Sequence, residues 1–525
     1  RSRYNLSDGR SSGIEEVLLG RVQVVESLAL SVAEFPDRTA LATHEGEFSY
    51  SELYSVVGGI QGGLKSLEGS SKPLIGVMTG DDHRTYASIL AILASGAGYV
   101  PISRTYPASR VQQILDQAEI RCVLTSGSVS SLEQAAQSSS SQVEVLDVQA
   151  LRGGRAEAEF EARSKDDIAY VFFTSGSTGK PKGVPITFRN LDAFFRVLLE
   201  GEEYRFSPDD RFLQMFSLTF DLSVMSLFTP LAIGGCCCVV PDSGIAWLQI
   251  VETLRAQNVT VSLMVPSVLG YLERYFDEIR LPDIRHSMFC GEALAQSMVA
   301  GWSKCVPNAS IRNVYGPTEA TIFCSSYDWS EEDSAQQAYQ GVVPIGSMYP
   351  GMEARLLGPD GAEVPAGEQG ELVISGEQVM TGYFQDEERT AEAFIELAEG
   401  DSARSFYRTG DLCFHNERGD LVYCGRLDSQ VKVQGHRVEL GEIEHFARQH
   451  VGHSFVAAVL PKAGAAAESI ALFVQGEAKD LEGLETLLAE RLPSYMVPRE
   501  IRAIEEMPLN LNGKIDRLAL RQRLE

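Results

Sequence analysis

The chain has 525 residues, 44% of them hydrophobic, so it can bury large cores and should form more than one domain. Its 72 acidic residues outnumber its 45 basic residues and give a net charge of -27, which repels nucleic-acid backbones and anionic membranes, so we expect neither as a partner. The nine cysteines show no CxxC pair and no Cys/His ligand spacing, and no apolar segment marks a secretory signal, which predicts reduced thiols in a cytoplasmic protein without structural zinc.

The first third of the chain alternates strand-like and helix-like segments. From Pro73 onward, short apolar runs are separated by segments with helical spacing, and this alternation predicts parallel α/β layers. The stretch 126–142 is rich in Ser and Gln and predicts a surface loop. The predicted strands are LIGVMTG (74–80), YVPIS (99–103) and RCVLTS (121–126), and the predicted helices are 85–97 and 107–118.

The stretch 168–183 reads IAYVFFTSGSTGKPKG. Its first six residues have the composition of a buried strand, which runs into a loop of glycines, hydroxyls and lysines. Glycines can turn backbone N–H groups toward one point and lysines add positive charge, so the loop suits a polyphosphate; a solvated turn is the alternative. The loop is not a P-loop, because Thr174 stands where that motif has its first glycine and Pro181 follows Lys180, where a P-loop opens a helix.

Asp221 stands in an apolar stretch, FDLSVMSLF (220–228), within a longer apolar run over 212–240. That run is interrupted by a carboxylate, a proline and a glycine pair, so we predict a buried helix followed by a strand and no membrane span. A buried carboxylate costs several kcal/mol unless a cation meets it. A protein Lys or Arg could do so, but no basic residue lies between Arg211 and Arg255, which makes a ligand ammonium a serious candidate.

Three further stretches combine polar groups with turns. NVYGPTE (313–319), preceded by CGE (290–292), could be only a turn, yet it offers an aromatic face, a hydroxyl and a magnesium ligand together. In YRTGD (407–411), Asp411 can accept two ribose hydroxyls. In NGKID (512–516), Lys514 lies on a glycine turn, where a solvated lysine is the plainer interpretation.

The last hundred residues carry a pattern of their own. Strand-like runs near Val431 and at 455–460, with helical spacing at 440–449 and 481–491, predict a small α+β domain. The segment GRLDS (425–429) joins this domain to the rest of the chain. We therefore predict one domain over residues 1–427 and a second over residues 428–525.

Taken together, these stretches closely resemble the amino-acid adenylation domains of nonribosomal peptide synthetases, which belong to the ANL adenylate-forming superfamily. The readings FDLSVMSLF, FCGEAL and VYGPTEAT also resemble the free-standing D-alanyl carrier protein ligases of that superfamily. The motifs occur in family order from about residue 30 to 520, a combination far more specific than any one of them. They are TSGSTGKPKG (174–183), FDLSV (220–224), NVYGPTE (313–319), GELVISG (370–376), YRTGD (407–411), GRLDSQVKVQGHRVELGEIE (425–444), LPSYMVP (492–498) and NGKIDR (512–517).

The resemblance implies a large N-terminal core of layered α/β subdomains with a β-rich part, followed by a small mobile α+β domain. It also implies a two-step ligase that uses ATP and Mg2+. The carboxylate of an amino acid attacks the α-phosphorus of ATP, giving aminoacyl-AMP and pyrophosphate, and the phosphopantetheine thiol of a carrier protein then takes the acyl group. No covalent enzyme intermediate is needed, so positioning and charge stabilisation should supply most of the catalysis.

By the same resemblance, single residues take roles. Lys514 would bridge the substrate carboxylate and a ribose oxygen during adenylation, and Thr318 and Glu319 would complete the catalytic set, with Glu319 also the magnesium ligand. Asp221 would bind the α-ammonium, and Asp428 would be the hinge about which the small domain turns. The implied ATP-binding residues are Thr174, Ser175, Gly176, Ser177, Thr178, Gly179 and Lys182 in the glycine-rich loop, and Gly291, Glu292, Asn313, Tyr315, Asp411, Tyr423 and Arg426 around the nucleoside.

The resemblance also assigns a side-chain pocket. Its lining contains no charge and no hydroxyl, so a polar substrate side chain would go unpaired, and we predict a small or medium apolar amino acid: proline, alanine or valine. One departure from the family pattern is Ser103-Arg104, which stands where the family has Asp-Pro. The pocket residues are Leu222, Met225, Leu263, Met288, Cys290, Val314, Ile322 and Phe323.

Two other classes of protein share these features. An acyl- or aryl-CoA ligase of the same superfamily has the same fold, but a fatty or aryl acid has no ammonium for Asp221 to pair with. A non-enzymatic sensor would keep binding and lose Lys514 or Glu319, and both are present. Only eleven residues follow Lys514 and none is a serine, so we expect the carrier to act in trans, unless the chain is part of a larger synthetase.

Overall fold

The computed structural model of the chain describes residues 24–64, 74–151, 158, 160–161, 163–175, 180–201, 203–399, 402–427, 430–433, 436–451, 456–459, 469–476, 481–508 and 515–524. These residues form two largely parallel sheets covered by helices, a β-rich part and a small α+β unit near the C-terminal end. The predicted fold class, layered α/β with a small α+β domain after it, is therefore confirmed. The boundary predicted between residues 427 and 428 stays a prediction, because residues 428–429 lie outside the described part.

Strands and helices alternate over the first part of the chain, as the apolar runs predicted. Local capping supports the helices: the carboxylate of Asp82 accepts backbone hydrogen bonds from Arg84 and Thr85 at the start of one of them. The elements are α1 (Val24–Glu34), β1 (Thr39–Thr43), β2 (Gly46–Ser49), α2 (Tyr50–Leu64), β3 (Leu74–Met78), α3 (His83–Ala94), β4 (Gly98–Ile102), α4 (Ala108–Gln117), β5 (Cys122–Thr125), α5 (Ser130–Ser138) and β6 (Glu144–Asp147).

The surface loop predicted for residues 126–142 is wrong, because α5 lies within it. Leu132 and Ala135, three residues apart, are both buried against the neighbouring core, so a short apolar stripe holds the helix despite the Ser- and Gln-rich composition. The serines that follow the helix also make structural contacts. Ser139 and Ser140 both donate side-chain hydrogen bonds to Asp116 at the end of α4. Composition alone missed this stripe because only two residues carry it.

The middle of the chain contributes the remaining parallel strands and the helices that cover them. The buried helix followed by a strand that the apolar run 212–240 predicted is confirmed, and the helix ends at Gly234, where a Cβ would lie 2.2 Å from the ring of Phe35. The elements are β7 (Ile168–Thr174), β8 (Lys182–Thr187), α6 (Phe188–Glu200), β9 (Arg211–Gln214), α7 (Leu222–Ile233), β10 (Cys236–Val239), α8 (Ala246–Ala256), β11 (Val261–Met264), α9 (Ser267–Leu272), β12 (His286–Phe289), α10 (Gln296–Ser303) and β13 (Ser310–Tyr315).

The last part of the chain is mostly antiparallel strands, followed by the small α+β unit. The strand at 370–376 and the helix at 440–449 lie where the sequence patterns predicted them. The elements are β14 (Ser325–Trp329), α11 (Glu331–Gln337), β15 (Ser347–Met348), β16 (Met352–Leu357), β17 (Gly370–Gly376), α12 (Glu387–Ala393), β18 (Phe394–Glu399), β19 (Ser402–His415), β20 (Leu421–Arg426), β21 (Gln430–Val433), β22 (His436–Glu439), α13 (Leu440–Val451), β23 (Val456–Val459), β24 (Ala471–Gln475), α14 (Leu484–Arg491), β25 (Glu500–Ile504) and α15 (Arg517–Gln522).

Two sheets build the α/β layers. The larger has nine strands in the order β15-β14-β13-β12-β11-β9-β10-β1-β2, parallel from β13 to β1 and antiparallel at both edges. The second has six strands in the order β6-β5-β3-β4-β7-β8, parallel except for the β7–β8 pair. A single continuous core of buried apolar side chains joins the two sheets. Parallel strands buried on both faces account for the near-continuous apolar runs of the sequence.

Three smaller sheets complete the fold. β16, β17, β19 and β18 form an antiparallel sheet in that order, with β20 added alongside β19. β21 and β22 form an antiparallel pair, here called the C-terminal hairpin, and β23, β24 and β25 form the last sheet. The C-terminal unit has a core of its own, and its α13 contacts the larger part through Glu442, whose buried carboxylate lies 2.7 Å from Nη1 of Arg110.

The departure from the family pattern at Ser103-Arg104 has a structural role. Arg104 follows β4, and its guanidinium donates hydrogen bonds to the backbone oxygens of Thr79 at 2.7 Å and Ser126 at 2.5 Å. These two carbonyls lie just beyond the ends of β3 and β5, so the side chain ties three neighbouring strand ends together. Among the described residues, no helix is both long and apolar enough to cross a bilayer.

Candidate active site

The candidate site lies where parallel strands of both sheets end. β12 and β13 run in register, with Phe289 opposite Asn313, so the segments 290–292 and 316–319 that follow them leave the same edge of the nine-stranded sheet. Ligands of open α/β sheets bind at the carboxyl ends of such strands. Nζ of Lys182, on β8 of the other sheet, lies 3.9 Å from Oε1 of Glu319. The glycine-rich stretch and the NVYGPTE stretch, far apart in sequence, therefore meet here.

The glycine-rich loop joins two strands of a hairpin. β7 and β8 pair antiparallel, with Phe173 opposite Gly183 and Thr174 opposite Lys182. A P-loop instead joins a strand to a helix, so the prediction that this stretch is not a P-loop is confirmed. Thr174, Ser175 and Lys182 belong to the described residues, whereas Gly176, Ser177, Thr178 and Gly179 lie outside them.

Ser175 holds the C-terminal hairpin. Its hydroxyl donates a hydrogen bond to the backbone oxygen of Arg437 at 3.0 Å and accepts one from the backbone N–H of Glu439 at 2.9 Å. This oxygen and this N–H point to the same side of β22. One serine therefore anchors that strand to the start of the glycine-rich loop. The loop predicted for phosphates is thus also a docking point for the C-terminal unit.

Glu319 is the most enclosed charge of the site. Its side chain is 0% exposed, Oε1 accepts a hydrogen bond from the hydroxyl of Tyr383 at 2.8 Å, and Oε2 accepts one from Nη1 of Arg437 at 2.7 Å. Burial opposes ionisation, but the positive charges of Arg437 and Lys182 outweigh it and lower the pKa of Glu319 to about 2. Glu319 is therefore a carboxylate with a compensated charge.

Lys182 is the second buried charge. Its Nζ lies 3.3 Å from Oε1 of Glu439 on the C-terminal hairpin and 5.6 Å from the ring centroid of Tyr383. Burial and the neighbouring charge of Arg437 lower the pKa of Lys182 to about 8, although Glu319 and Glu439 favour the charged form. Since Lys182 is only 5% exposed, its ammonium is held for a local partner and does not reach bulk water.

Asp221 lies at the start of α7 and is 4% exposed. Burial raises the pKa of its carboxyl to about 6, even though a hydrogen bond from the side chain of Thr318 and the charge of Lys432 favour the ionised form. The sequence left open whether a protein cation or a ligand ammonium meets this carboxylate. Among the residues that the structure describes, Lys432 brings a positive charge near it, and that charge does not cancel the penalty of burial.

Lys432 comes from the C-terminal hairpin, opposite Arg437. It is partly buried, and burial lowers the pKa of its ammonium, which also interacts with Cys290 and Asp221. Beside it, the ring of His436 stacks on Tyr495 with 4.0 Å between centroids. The hairpin therefore brings a cation near Asp221 and Cys290, although the predicted pocket lining contains no charge.

The predicted pocket residues are all buried, each at 2% exposure or less. Leu263 and Met288 lie opposite each other on β11 and β12 and so share one face of the sheet. The ring of Phe323 packs edge-on against Phe194, with 4.9 Å between centroids, and is engaged in core packing. The other members of the buried set are Leu222, Met225, Cys290, Val314 and Ile322.

The carboxylate of Asp411 binds two side chains, one at each oxygen. Its Oδ2 accepts a hydrogen bond from the hydroxyl of Tyr315, and its Oδ1 lies 2.6 Å from Nη1 of Arg426. Its backbone N–H donates to the hydroxyl of Thr409 at 3.0 Å. Three residues that the resemblance places around one nucleoside, Tyr315, Asp411 and Arg426, therefore do meet, although they lie on β13, β19 and β20.

The other predicted nucleotide contacts have local partners. Nδ2 of Asn313 donates to the backbone oxygens of Val343 at 3.3 Å and Pro344 at 2.8 Å. Oε2 of Glu292 accepts a hydrogen bond from the backbone of Ser267 at 2.8 Å. Two further predicted contacts are placed by the backbone: Gly291 has a φ of +96°, and Tyr423 lies opposite Cys413 on β20.

The turn that carries Glu319 is strained. Thr321 and Ile322 have φ values of +56° and +75°, a region that β-branched residues rarely adopt. Each such residue costs about 1–3 kcal/mol and persists only where the surroundings hold it, which is common at functional sites. A Cβ at Gly316 would lie 2.4 Å from Cα of Phe323, so the chain also folds back closely on itself here.

Sequence reasoning missed four residues of this site: Tyr383, Lys432, Arg437 and Glu439. Three of them lie in GRLDSQVKVQGHRVELGEIE, a motif that was recognised but used only for Arg426 and Asp428. The signal that could have found them is the run of charges in a segment expected to move. Lys514 and Asp428 lie outside the described residues.

Comparison with known proteins identifies the class. A family model described as "AMP-binding enzyme" matches residues 28–384, which is more than half of the chain, so the chain belongs to this family. Tyrocidine synthase 3 of Brevibacillus parabrevis is 32% identical over 507 residues, covering 95% of this chain and 8% of that protein. A D-alanine--D-alanyl carrier protein ligase of Bacillus cereus (strain G9842) is 31% identical over 512 residues, covering 95% of this chain and 98% of that protein.

Solved structures agree with the family. The structure of holo-PA1221, described as an NRPS protein containing adenylation and PCP domains, matches with a TM-score of 0.84 at 26% identity, covering 96% of this chain and 85% of that chain. The resemblance to synthetase adenylation domains and to D-alanyl carrier protein ligases is therefore confirmed. The chain spans less than a tenth of the length of several synthetases that it matches.

Proposed function

We propose that the protein is an ATP-dependent amino-acid:carrier-protein ligase, which forms an aminoacyl-AMP and then transfers the aminoacyl group to the thiol of a phosphopantetheinylated carrier protein. The observation that carries the proposal is Asp221, a carboxylate buried among apolar side chains whose pKa stays raised to about 6. An α-ammonium would supply the missing counter-charge, and an acid without nitrogen would not. The relatives include a peptide synthetase and a carrier protein ligase, and both support a carrier protein as the acceptor.

In the first half-reaction, Asp221 holds the α-ammonium and so directs the substrate carboxylate toward ATP. Asp411 and Arg426 lie at the ribose end of the nucleotide site and Tyr315 at the adenine, and Asp411 is already oriented by its contacts with Tyr315 and Arg426. A carboxylate oxygen attacks the α-phosphorus, and the bond to pyrophosphate breaks. The glycine-rich loop, with the ammonium of Lys182, holds the departing phosphates, and Lys514 bridges the substrate carboxylate and the ribose.

Glu319 fits a magnesium ion, provided that Arg437 withdraws. The carboxylate is ionised, and Mg2+ commonly binds proteins through one or two carboxylates while substrate phosphates supply further oxygens. No group of three or more His, Cys, Asp or Glu side chains able to hold a metal occurs in the described part of the chain, which agrees with a metal brought in by the nucleotide. When bound, Mg2+ would neutralise charge that develops on the phosphates.

In the second half-reaction, the thiol sulfur attacks the acyl carbon, the bond to AMP breaks, and the thiol proton passes to solvent. The C-terminal hairpin lies against Ser175, Lys182 and Glu319 in the structure, as expected of an arrangement from which pyrophosphate has left. We place the boundary of the mobile unit between residues 427 and 428, with Asp428 as its hinge. The carrier acts in trans or as a neighbouring domain.

The proposed substrate is a small or medium apolar amino acid, with alanine, valine and proline as candidates. The eight predicted lining residues are buried and carry no charge or hydroxyl, and the nearby ammonium of Lys432 interacts with Asp221, so a polar side chain would lack a partner. A relative described as a D-alanine ligase supports the small end of the range. ATP/pyrophosphate exchange across the amino acids tests this, with propionate as the matched partner of alanine because it lacks only the α-ammonium.

We expect exchange with alanine or another apolar amino acid and none with propionate. Preference for Asp, Lys or Ser would overturn the substrate range. Exchange with propionate or benzoate equal to that with amino acids would favour an acyl- or aryl-CoA ligase. Absence of exchange with every amino acid would defeat the proposed function.

A further inference from the structure

Gln378 lies directly behind the strained turn that carries Glu319. Its side-chain Nε2 donates hydrogen bonds to the backbone oxygens of Phe323 at 3.0 Å and Ala320 at 3.4 Å. Its backbone oxygen accepts a hydrogen bond from the hydroxyl of Thr321 at 2.5 Å. One residue, 2% exposed, thus bonds to the turn at Ala320, at Thr321 and at Phe323.

The neighbours of Gln378 reinforce this grip. The backbone N–H of Met380 donates to the backbone oxygen of Glu319 at 2.8 Å, so the segment 378–380 runs alongside the turn. On the other side, Nδ2 of Asn190 donates to the backbone oxygens of Glu377 at 2.8 Å and Val379 at 3.1 Å. Asn190 is itself fixed by a capping box at the start of α6. The turn is therefore anchored to a rigid helix through two polar residues.

The turn needs such an anchor because its backbone is unfavourable for the residues it contains. Thr321 and Ile322 are β-branched and have positive φ, so the conformation relaxes unless other groups hold it. The same few residues present Thr318 to the carboxylate of Asp221 and place Ile322 in the predicted pocket lining. A shift of the turn would therefore move both the hydrogen bond to Asp221 and part of the pocket wall.

We propose that Gln378 is a positioning residue for amino-acid recognition, which acts by holding the turn 318–323 in its strained form. The inference rests on the proposed function, because it assigns Thr318 and Ile322 of the turn to the amino-acid side of the site. The side chain of Gln378 bonds to backbone oxygens of the turn, so its effect on a substrate would pass through the turn. Glu319 lies in the same turn, but its carboxylate is held by the hydroxyl of Tyr383 and its backbone oxygen by the N–H of Met380, neither of which involves the side chain of Gln378. Asp411 and Arg426 lie on β19 and β20 and are held by other contacts, so the influence of Gln378 falls on the amino acid more than on ATP.

Gln378→Met tests the proposal, because methionine has a similar length and no donor for the two carbonyls. We expect the KM for the best amino acid to rise about 10- to 100-fold in pyrophosphate exchange, with the KM for ATP changed less than about 2-fold. Amide hydrogen exchange of residues 318–323 in the protein without substrates should become faster. Gln61→Met is the matched control, since Gln61 is also buried and lies on α2, outside the site.

An unchanged amino-acid KM in Gln378→Met, with wild-type hydrogen exchange over 318–323, would overturn the proposal while leaving the ligase function intact, because the wild-type protein is assayed in parallel. Equal rises in both KM values would also overturn it. If Gln378→Met does not fold, Thr321→Val removes the hydroxyl that bonds to the Gln378 carbonyl and keeps the β-branched shape. It should raise the KM for the amino acid and leave the KM for ATP nearly unchanged. Equal changes in both KM values would contradict the proposed role of Gln378.

Discussion

Arg437 places Nη1 of its guanidinium 2.7 Å from Oε2 of Glu319, and so neutralises the carboxylate that the family resemblance assigns to magnesium. The two residues are 118 positions apart, and the pair exists only while the C-terminal hairpin lies against the larger part. A metal bound to nucleotide phosphates and the guanidinium would compete for the same oxygens. We therefore propose that the docked hairpin and a bound Mg2+–ATP are alternatives at Glu319.

Arg437→Met should slow the transfer step and spare adenylation. The variant removes the guanidinium that holds the hairpin against Glu319, and a hydrogen bond to a charged group contributes about 1.5–3 kcal/mol, so we expect transfer to a holo-carrier to slow about 10-fold or more. Pyrophosphate exchange should stay near the wild-type rate. The measurement is exchange in one assay and transfer from supplied aminoacyl-AMP in another.

The matched control for this variant is Arg408→Met, which breaks another Arg–Glu ion pair in the β-rich part, on a side chain that is 48% exposed. Both steps should be unaffected by it. If Arg437→Met lowered exchange and transfer by the same factor, after correction for the folded fraction, the assigned alternation at Glu319 would be wrong.

Asp221→Asn should weaken amino-acid use selectively. The amide keeps the shape of the side chain and the bond to Thr318 but loses the charge that is proposed to meet the α-ammonium. We expect the amino-acid KM to rise about 10- to 100-fold with little change in the KM for ATP. An amino-acid KM equal to that of the wild type would refute the ammonium contact.

The pH dependence of amino-acid use should report the same carboxyl. The pKa of Asp221 is raised to about 6, above its ordinary value near 4, so this group favours the folded state most at low pH and loses that contribution as pH rises through 6. Binding has the opposite sign, because only the carboxylate attracts the ammonium. We expect kcat/KM for the amino acid to fall as pH drops below about 6, and the fall to vanish in Asp221→Asn. A profile that is the same in both proteins would contradict the assignment.

Lys514→Ala should impair adenylation and spare transfer, the reverse of the effect expected for Arg437→Met. The ammonium is proposed to bridge the substrate carboxylate and the ribose only while the adenylate forms. We expect pyrophosphate exchange to drop by about 100-fold or more, while transfer from supplied aminoacyl-AMP continues. Equal losses in both assays would show that Lys514 does not have this role.

The sequence predicted the fold and the members of the site better than their mutual contacts. Apolar runs at 74–80 and 99–103 and the motif series were sufficient for the α/β layers and for the residues at the strand ends. The sequence could not predict the pairing of Arg437 with Glu319, because that contact depends on how the C-terminal hairpin packs against the larger part. The sequence did not predict the positive φ of Thr321 and Ile322 either, since β-branched residues argue against that conformation, which Gln378 and its neighbours stabilise through hydrogen bonds.

The helix α5 is an element that the sequence composition failed to predict. Its sequence has the composition of a loop, and two buried residues, Leu132 and Ala135, decide the structure by packing against a neighbouring core. Composition averages over a window and cannot weigh two contacts that depend on the rest of the fold. The predicted set of pocket residues omitted Lys432 for a related reason, because this residue reaches the site from another part of the chain.

Ser175 and Lys182 use the same hydroxyl and ammonium to hold the C-terminal hairpin that they are proposed to use for the phosphates of ATP. Pyrophosphate is then a product and also a competitor of the arrangement in which transfer takes place. Added pyrophosphate should therefore slow carrier loading, and an inorganic pyrophosphatase should restore the rate. The cellular level of pyrophosphate would in this way set how fast the carrier is charged.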